Sequence, residues 1–325
     1  VDRLLGAVAT GSQINRKVRL PMTRFTVIVP FHTDADTIAD TLTSIRTQSF
    51  TNWEAICVGD RPSSACLSVV LDHIAQDHRI RVASSPFDGP SAARNYGAEL
   101  AKGDILTFCD ADDLWHKDKL AQLDEALQLA STDAVFGQIR FFTDQPGDSQ
   151  TCSTVPTAPL TIQDLLAENP VCTMSNLSIR REVFRAIGGL DTSTVHNEDL
   201  ELLIRLAGEG FTIEGVNQFQ VWYRTSAGGL SSDLNAMRAG RAYAVKTAAS
   251  YGVFPSRSSE AVYLRYLARR ALRLGHQGQA LSYTGKGLSL HARSFLLPLR
   301  RGLPTATGAA LAPILPQAIK RALFS

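Results

Sequence analysis

The sequence predicts an α/β fold with a mostly parallel central sheet, because short apolar runs alternate with amphipathic helical segments over the first hundred residues. The run at residues 25–30 is apolar, β-branched and closed by proline, as in a strand that is buried on both faces. Ligands of such open sheets bind beyond the carboxyl ends of the strands. The polar residues that follow each strand are therefore the first candidates for function.

The first half of the chain is predicted to alternate strictly between strands and helices. In the first helix, the apolar residues Ile38, Leu42 and Ile45 recur at helical spacing, and Asp34 and Asp36 precede them. The predicted strands cover residues 25–30, 53–58, 80–83 and 105–109. The predicted helices cover residues 37–48, 69–75 and 91–101.

After residue 113 the alternation becomes less regular. One strand is predicted at 134–142, and a polar loop follows at 143–159. Helices are predicted at 117–129, 162–168, 182–187 and 198–209. From residue 233 only helices are predicted, with one apolar stripe made of Leu264, Leu267, Ala271 and Leu274.

The domain organisation follows from these patterns. A chain of 325 residues with 44% hydrophobic residues is long enough to bury a large core. Residues 1–21 begin with Val and precede Met22, so we interpret them as a leader or extension. Residues 22–232 are predicted to form the main domain, with halves at 22–113 and 114–232, and residues 233–325 a basic helical C-terminal region.

The charges are distributed unevenly. Residues 1–230 carry 19 Lys and Arg against 29 Asp and Glu, whereas residues 231–325 carry 14 against 2. An acidic body with a basic tail suggests that the tail lies on an anionic membrane surface; helix packing on the main domain is the alternative. No apolar stretch is long enough to span a bilayer. Five cysteines without close pairs indicate a reducing compartment rather than disulfides or zinc.

The strongest local signal is a group of three carboxylates at the end of a predicted strand. Asp110, Asp112 and Asp113 follow the run 105–109 directly. Such acids repel one another, and a bound Mg²⁺ or Mn²⁺ is the usual reason for the arrangement. The alternative is that they cap a helix that would begin near Leu114.

These segments resemble the family 2 glycosyltransferases of the GT-A fold, and the resemblance runs from about residue 25 to 231. The matching pieces are FTVIVP, SIRTQSFTNWEAICV and PSAARNYGAELAKGDILTFCDADD. The resemblance implies transfer of a sugar from a nucleotide-sugar donor to an acceptor hydroxyl. The expected nucleotide of the donor is UDP. It also implies a divalent metal and inversion at the anomeric carbon.

The resemblance assigns nucleotide-sugar-binding roles to residues of the first half. They are Pro30, Asp60, Arg94, Asp110 and Asp112, with Asp112 also the metal ligand. Simpler alternatives are a turn role for Asp60 and a helix-surface position for Arg94. The loop Gly59-Asp60-Arg61-Pro62-Ser63 departs from the family, which has two aspartates followed by Gly-Ser.

The resemblance assigns the chemistry of the second half to Asp199, as the general base. The resemblance places Glu198 in a Glu-Asp pair that opens a helix beside the acceptor. It assigns Trp222 and Arg224 to an acceptor or loop segment, in which the Arg meets phosphate, ahead of a Gly-rich loop at 228–231. Plain helix N-terminal acids and a packing role for Trp222 are the alternatives. Thr225 and Ser226 stand where the family commonly has a His, so no further protein ligand of the metal is expected there.

Other functions fit the sequence less well. No GxGxxG follows the first strand, as a dinucleotide-dependent oxidoreductase would require. The basic tail has few aromatic residues and no nucleic-acid reading motif, so we expect no nucleic acid partner. A non-catalytic nucleotide-sugar-binding module of the same fold remains an alternative. The expected enzyme is cytoplasmic, peripheral on the inner face of the plasma membrane, and uses a sugar or lipid-linked acceptor.

Overall fold

A computed structural model describes residues 23–128, 131–225 and 233–312. The expected leader, the Gly-rich loop at 228–231 and Ser226 lie outside these residues. The strands are β1 (Phe25–Phe31), β2 (Trp53–Gly59), β3 (Ile80–Ser84), β4 (Ile105–Phe108), β5 (Leu114–Trp115), β6 (Ala134–Phe142), β7 (Ser178–Arg180) and β8 (Ile213–Arg224).

Helices lie between these strands along the chain, and four more helices follow β8 in the described residues. Those within the sheet region are α1 (Ile38–Arg46), α2 (Ser64–Gln76), α3 (Pro90–Leu100), α4 (Lys119–Ala126), α5 (Ile162–Ala167), α6 (Arg181–Ala186) and α7 (Glu198–Gly208). Those after the sheet are α8 (Leu234–Ser250), α9 (Arg257–Arg273), α10 (Gln277–Leu296) and α11 (Leu299–Leu311). The predicted helices agree with these bounds to within a few residues, apart from α2, which begins five residues earlier.

In the described part of the chain the strands form one eight-stranded sheet in the order β3-β2-β1-β4-β7-β6-β8-β5. The first four are parallel, as predicted, and β6 and β8 are also parallel. Strand β7 runs antiparallel to both β4 and β6, and β5 runs antiparallel to β8. The sheet is therefore mixed beyond β4.

Strands β5, β7 and β8 were not predicted. The first two have only two and three residues, too few to show a period. Strand β8 has 12 residues, but its centre contains Asn217 and Gln218, which are exposed. Polar exposed residues remove the alternation that marks a half-buried strand.

Apolar residues cover both faces of the sheet, as alternating strand residues require. Ile28 and Phe108 belong to one apolar cluster, and Val27 and Val29 belong to the other. Helix α3 lies very close to the sheet at Gly97, where an added Cβ would be 2.6 Å from Ile28 Cγ2. This close packing fixes the position of the motif residues on α3.

The C-terminal helices pack on the rest of the protein. The predicted stripe belongs to a third apolar cluster, with Leu267 and Ala271 buried in it. Arg241 of α8 donates to the carbonyl of Leu166 at 2.8 Å, and Arg301 of α11 pairs with Glu168 at 2.9 Å. Helix packing on the main domain, the alternative for the basic region, is thus observed. Among the described helices, none has the length and apolar character needed to cross a membrane.

Candidate active site

The site lies at the carboxyl ends of β2, β1 and β4, which are adjacent in the sheet. The register places Pro30 beside Val58 and Phe31 beside Gly59, so β1 and β2 end side by side. Asp60 follows directly after this shared end. Ile28 pairs with Phe108, which brings the following acids to the same edge. The parallel pairing predicted from the sequence is what gathers these residues.

Asp60 connects the end of β2 to the start of α3. Its Oδ2 accepts a hydrogen bond from the amide of Gly89 at 2.8 Å, one residue before α3 begins. Its amide donates to the carbonyl of Phe31 at 3.0 Å. Oδ1 is buried without a hydrogen-bond partner in the described structure, with Arg61 Nε 3.6 Å away. Asp60 is therefore a turn residue that also presents a buried oxygen at the site.

Arg94 is buried, with only 5% of its surface exposed, so the helix-surface alternative is wrong. Its Nη2 lies 2.5 Å from Asp110 Oδ1, and its Nη1 lies 3.1 Å from Glu198 Oε1. Burial lowers its pKa, but the charges of Asp110 and Glu198 outweigh burial and raise the pKa above its ordinary value. One guanidinium thus joins the acids of the two halves.

Both carboxylate oxygens of Asp110 are engaged by this chain. Oδ1 accepts from Arg94, and Oδ2 accepts from the hydroxyl of Thr173 at 3.0 Å. Its amide donates to Ser175 Oγ at 2.9 Å. Asp110 is held rigidly, and its orientation depends on the 169–176 segment between α5 and β7.

Asp113 is oriented away from solvent, whereas Asp112 is available for a ligand. Asp113 is 1% exposed and accepts a hydrogen bond from the amide of Arg224 at 2.9 Å. Burial and then Asp112 raise its pKa well above the usual range. Strand β5 follows Asp113, and α4 begins only at Lys119, so the helix-cap alternative is wrong.

The surroundings of Asp112 fit a divalent cation. Burial, Asp110 and Asp34 raise the pKa of Asp112 to about 6. Within the described residues its carboxylate has no ion pair within 4 Å, and no group of three or more His, Cys, Asp or Glu is placed to hold a metal. Asp112 would thus be a single protein ligand, with the other ligands supplied by substrate and water.

Asp199 lies in the first turn of α7 beside Glu198. Its Oδ2 accepts a hydrogen bond from Asn169 Nδ2 at 2.7 Å. Burial and the charge of Glu198 raise its pKa to about 7. Asp199 therefore differs from an ordinary, solvated acid at a helix N-terminus. With its pKa raised to about 7, its carboxylate is suited to accept a proton near neutral pH.

The side chains of Trp222 and Arg224 have different partners in the structure. Arg224 Nε donates to the carbonyl of Asp112 at 3.0 Å, so its side chain braces the acidic segment. Trp222 packs among aromatic rings, with the Phe219 centroid 4.8 Å away. This agrees with the packing alternative for Trp222. Burial, Asp113 and other site acids raise the pKa of Tyr223, which lies between them on β8.

Sequence reasoning missed four residues that orient the acids. Asn169, Thr173 and Ser175 come from the segment between α5 and β7, which contains one short 3-10 turn and for which the sequence predicted no element. Lys119 is fully buried, donates to the carbonyl of Ser175 at 3.1 Å, and has a pKa lowered to about 7 by burial. The one available signal was the cluster of polar residues among the apolar Val171, Met174 and Leu177.

Comparison with known proteins decides the family. Residues 26–188 match the family described as Glycosyl transferase family 2, which is half of the 325 residues. The chain belongs to glycosyl transferase family 2. This confirms the resemblance seen in the motifs.

This glycosyltransferase is similar to enzymes named for polysaccharide biosynthesis. It is 29% identical over 208 residues to TuaG of Bacillus subtilis, named for teichuronic acid biosynthesis, across 64% of the chain and 81% of TuaG. It is 37% identical over 101 residues to the amylovoran biosynthesis glycosyltransferase AmsB of Erwinia amylovora, across 30% of the chain. The chain spans only 34% of AmsB.

Two solved structures show the same fold. S. aureus TarS 1–349 in complex with UDP-GlcNAc has a TM-score of 0.55 and 16% identity, across 88% of this chain and 79% of that one. The mannosyltransferase PcManGT of Pyrobaculum calidifontis, in complex with GDP-Man and Mn²⁺, has a TM-score of 0.51 and 19% identity, across 92% and 78%. The predicted GT-A type fold is confirmed.

The raised pKa of Asp199 predicts a pH-dependent effect on stability. Its folded pKa of about 7 exceeds the ordinary value of 3.8, so ionised Asp199 destabilises the folded glycosyltransferase. The penalty is absent below the ordinary value and complete above about pH 7. We expect Asp199→Asn to unfold at the wild-type urea midpoint near about pH 4, and to be more stable by about 1–3 kcal/mol near about pH 8.

The control for this comparison is Asp72→Asn, because Asp72 is an exposed carboxylate on α2 and is not one of the buried acids. It removes the same charge without changing the buried acids. An Asp199→Asn variant that is no more stable than wild type at the higher pH would contradict the structural origin of the shift.

Proposed function

We propose that this chain is an inverting, metal-dependent glycosyltransferase. It moves a sugar from a nucleotide-sugar, with a UDP-sugar as the first choice, to an acceptor hydroxyl in cell-surface polysaccharide or glycolipid synthesis. The supporting observation is the ion-paired bridge Asp110–Arg94–Glu198, which joins the acidic strand end to the helix turn that carries Asp199. The bridge holds a donor region and a proton acceptor within one site.

The donor is expected at the carboxyl ends of the parallel strands. Pro30 and Asp60 lie where a nucleoside would contact the ends of β1 and β2, and Asp110 would contact it from β4. A divalent Mn²⁺ or Mg²⁺ held by Asp112 would neutralise charge on the departing nucleoside diphosphate. Arg224 supports this arrangement by fixing the Asp112 carbonyl.

The chemistry of the acceptor is assigned to Asp199. Its carboxylate takes the proton from the acceptor hydroxyl, and the freed oxygen attacks the anomeric carbon from the face opposite the nucleoside diphosphate. The bond to the diphosphate breaks as the new glycosidic bond forms. A single displacement of this kind inverts the anomeric configuration, and Asn169 keeps the base oriented throughout.

The names of similar proteins support the choice of donor and acceptor. WfgD of Escherichia coli is named a UDP-Glc:alpha-D-GlcNAc-diphosphoundecaprenol beta-1,3-glucosyltransferase, and it is 30% identical over 95 residues, across 29% of this chain and 37% of WfgD. TarS was solved with UDP-GlcNAc and with UDP. A UDP-sugar donor and a sugar or lipid-linked acceptor are therefore the first to test here.

We propose that the C-terminal helices also contact an anionic membrane surface from the cytoplasmic side. Leu299, Leu303 and Leu311 of α11 are 58%, 51% and 47% exposed and recur at spacings of four and eight residues. Exposed leucines on one helix face, within a region that carries 14 Lys and Arg against 2 Asp and Glu, match the chemistry of an interfacial helix.

Nucleotide binding tests the donor site. We expect one of UDP, GDP and dTDP to bind by calorimetry with Mn²⁺ present, and Asp112→Asn to weaken binding by at least about tenfold, because a metal–diphosphate bridge is lost. Glu125→Gln, on the exposed face of α4, should bind like wild type. Binding that does not depend on the metal would exclude its proposed role, and no binding would favour a non-catalytic module.

Turnover tests the base. We expect Asp199→Asn to lower kcat by at least about a hundredfold with UDP affinity unchanged, since general bases contribute on that scale. In the wild type, kcat/KM should fall as pH drops below about 7, where Asp199 becomes protonated. UDP release from UDP-GlcNAc and UDP-Glc gives the rate, and NMR of the product gives the anomeric configuration. Retained configuration would exclude the single displacement.

Flotation tests the membrane contact. We expect the protein to float with anionic liposomes at low salt, and Leu299→Ser with Leu303→Ser to abolish flotation by removing apolar insertion. Leu71→Ser is the matched control, because Leu71 is 49% exposed but belongs to α2 rather than to the basic C-terminal region. If the wild-type protein stays in the soluble fraction, or if Leu71→Ser abolishes flotation and the α11 substitutions do not, the membrane proposal is wrong.

A further inference from the structure

A small pocket opens where α9 and α11 meet the end of α5. Its lining residues are Glu168, Arg265, Tyr266, Arg269, Arg301 and Thr305. Three guanidinium groups thus face one carboxylate. The pocket carries an excess of positive charge that this lining does not neutralise.

Two of the three arginines have partners within the protein. Arg301 Nη1 lies 2.9 Å and 3.1 Å from the two oxygens of Glu168, and Arg265 Nη2 lies 3.6 Å from Oε2. Arg265 also donates to the carbonyls of Ser294 and Phe295 at 3.1 Å and 3.2 Å. These two side chains hold α9, α10 and α11 against α5.

Arg269 is different. Across residues 23–128, 131–225 and 233–312 its guanidinium makes no hydrogen bond and no ion pair within 4 Å, although the side chain is partly buried. Burial and then Arg301 lower its pKa. Arg265, Arg269 and Arg273 also follow one another at a spacing of four on α9, where like charges repel. A free guanidinium in these surroundings is costly unless an anion binds there.

The pocket adjoins the proposed base. Glu168, which pairs with the arginines, is followed directly by Asn169, which donates to Asp199. Tyr266 lines the pocket, and its pKa is raised by burial and by the charges of Asp199 and Glu168. The pocket therefore lies within electrostatic range of the base. A ligand in the pocket would thus lie on the side of the base where the segment 168–169 connects the two.

We propose that this pocket binds a phosphate group carried by the acceptor, with Arg269 as its main unpaired donor. The inference rests on the proposed function, because the acceptor is the molecule that Asp199 deprotonates. Guanidinium groups bind phosphate through two parallel hydrogen bonds, and a phosphate supplies the negative charge that the pocket lacks. A lipid-linked phosphate and a phosphate-bearing polyol chain share this chemistry.

Phosphate titration tests the pocket directly. We expect inorganic phosphate, followed by ³¹P NMR in metal-free buffer of low ionic strength, to bind wild type and to bind Arg269→Gln at least about tenfold more weakly. Arg269→Lys should keep most of the affinity. Arg293→Gln, an exposed arginine of α10, and Asp112→Asn should both bind phosphate within about twofold of wild type.

Stability provides a second readout on the same variants. Because Arg269 has no internal partner in the described structure and is repelled by Arg301, Arg269→Gln should melt at or above the wild-type temperature. A clear loss of stability would show that Arg269 is a structural residue and would overturn the proposal. Unchanged phosphate affinity in Arg269→Gln, or an equal loss in Arg293→Gln, would also overturn it.

Two organic phosphates separate the sources of the phosphate. Tighter binding of farnesyl phosphate than of glycerol 3-phosphate supports a lipid-linked acceptor, and the reverse order supports a polyol phosphate; in both cases Arg269→Gln must weaken binding. UDP affinity should be the same in wild type and Arg269→Gln. If wild type shows no turnover but Arg269-dependent phosphate binding persists, the proposed function fails and the anion site stands.

Discussion

The arrangement of the site depends on one buried cation. Arg94 pairs with Asp110 from the end of β4 and with Glu198 from the start of α7. Buried acids need a compensating charge, and removal of one partner leaves the others uncompensated. Arg94 reaches both acids because Gly97, one turn further along α3, lets the helix lie directly on β1 and β2. The close packing of a glycine thus determines the geometry of the proposed chemistry.

The remaining charges of the site are left unbalanced, and this is consistent with ligand binding. Asp112 stands near Asp110 and Asp34, and Asp199 stands beside Glu198, so both have raised pKa values. Arg269 lies in a pocket with an excess of positive charge. Each of these three charges is unfavourable in the free protein and would be compensated by binding: a cation at Asp112, a proton at Asp199 and an anion at Arg269. Uncompensated charges of this kind are typical of functional sites.

Much of the fold and part of the site could be predicted from local patterns. Buried strands such as 25–30 and amphipathic helices such as α1 have periods that a sequence shows directly. Strands β5 and β7 are too short for a period, and β8 is polar at its centre, so only pairing with neighbours makes them strands. Asn169, Thr173 and Ser175 escaped prediction because their roles are set by contacts with distant residues.

The sequence by itself determined the order of alternating elements, the acids at the strand ends and the uneven charge of the two regions, since these depend on neighbouring residues. Tertiary structure alone decided which of these residues meet. It turned Arg94 inward, directed Asp113 into the core, placed Trp222 among aromatic rings and left Arg269 without a partner in the described chain. The physical reason is that burial and charge compensation depend on residues far apart in sequence, which only the packed fold brings together.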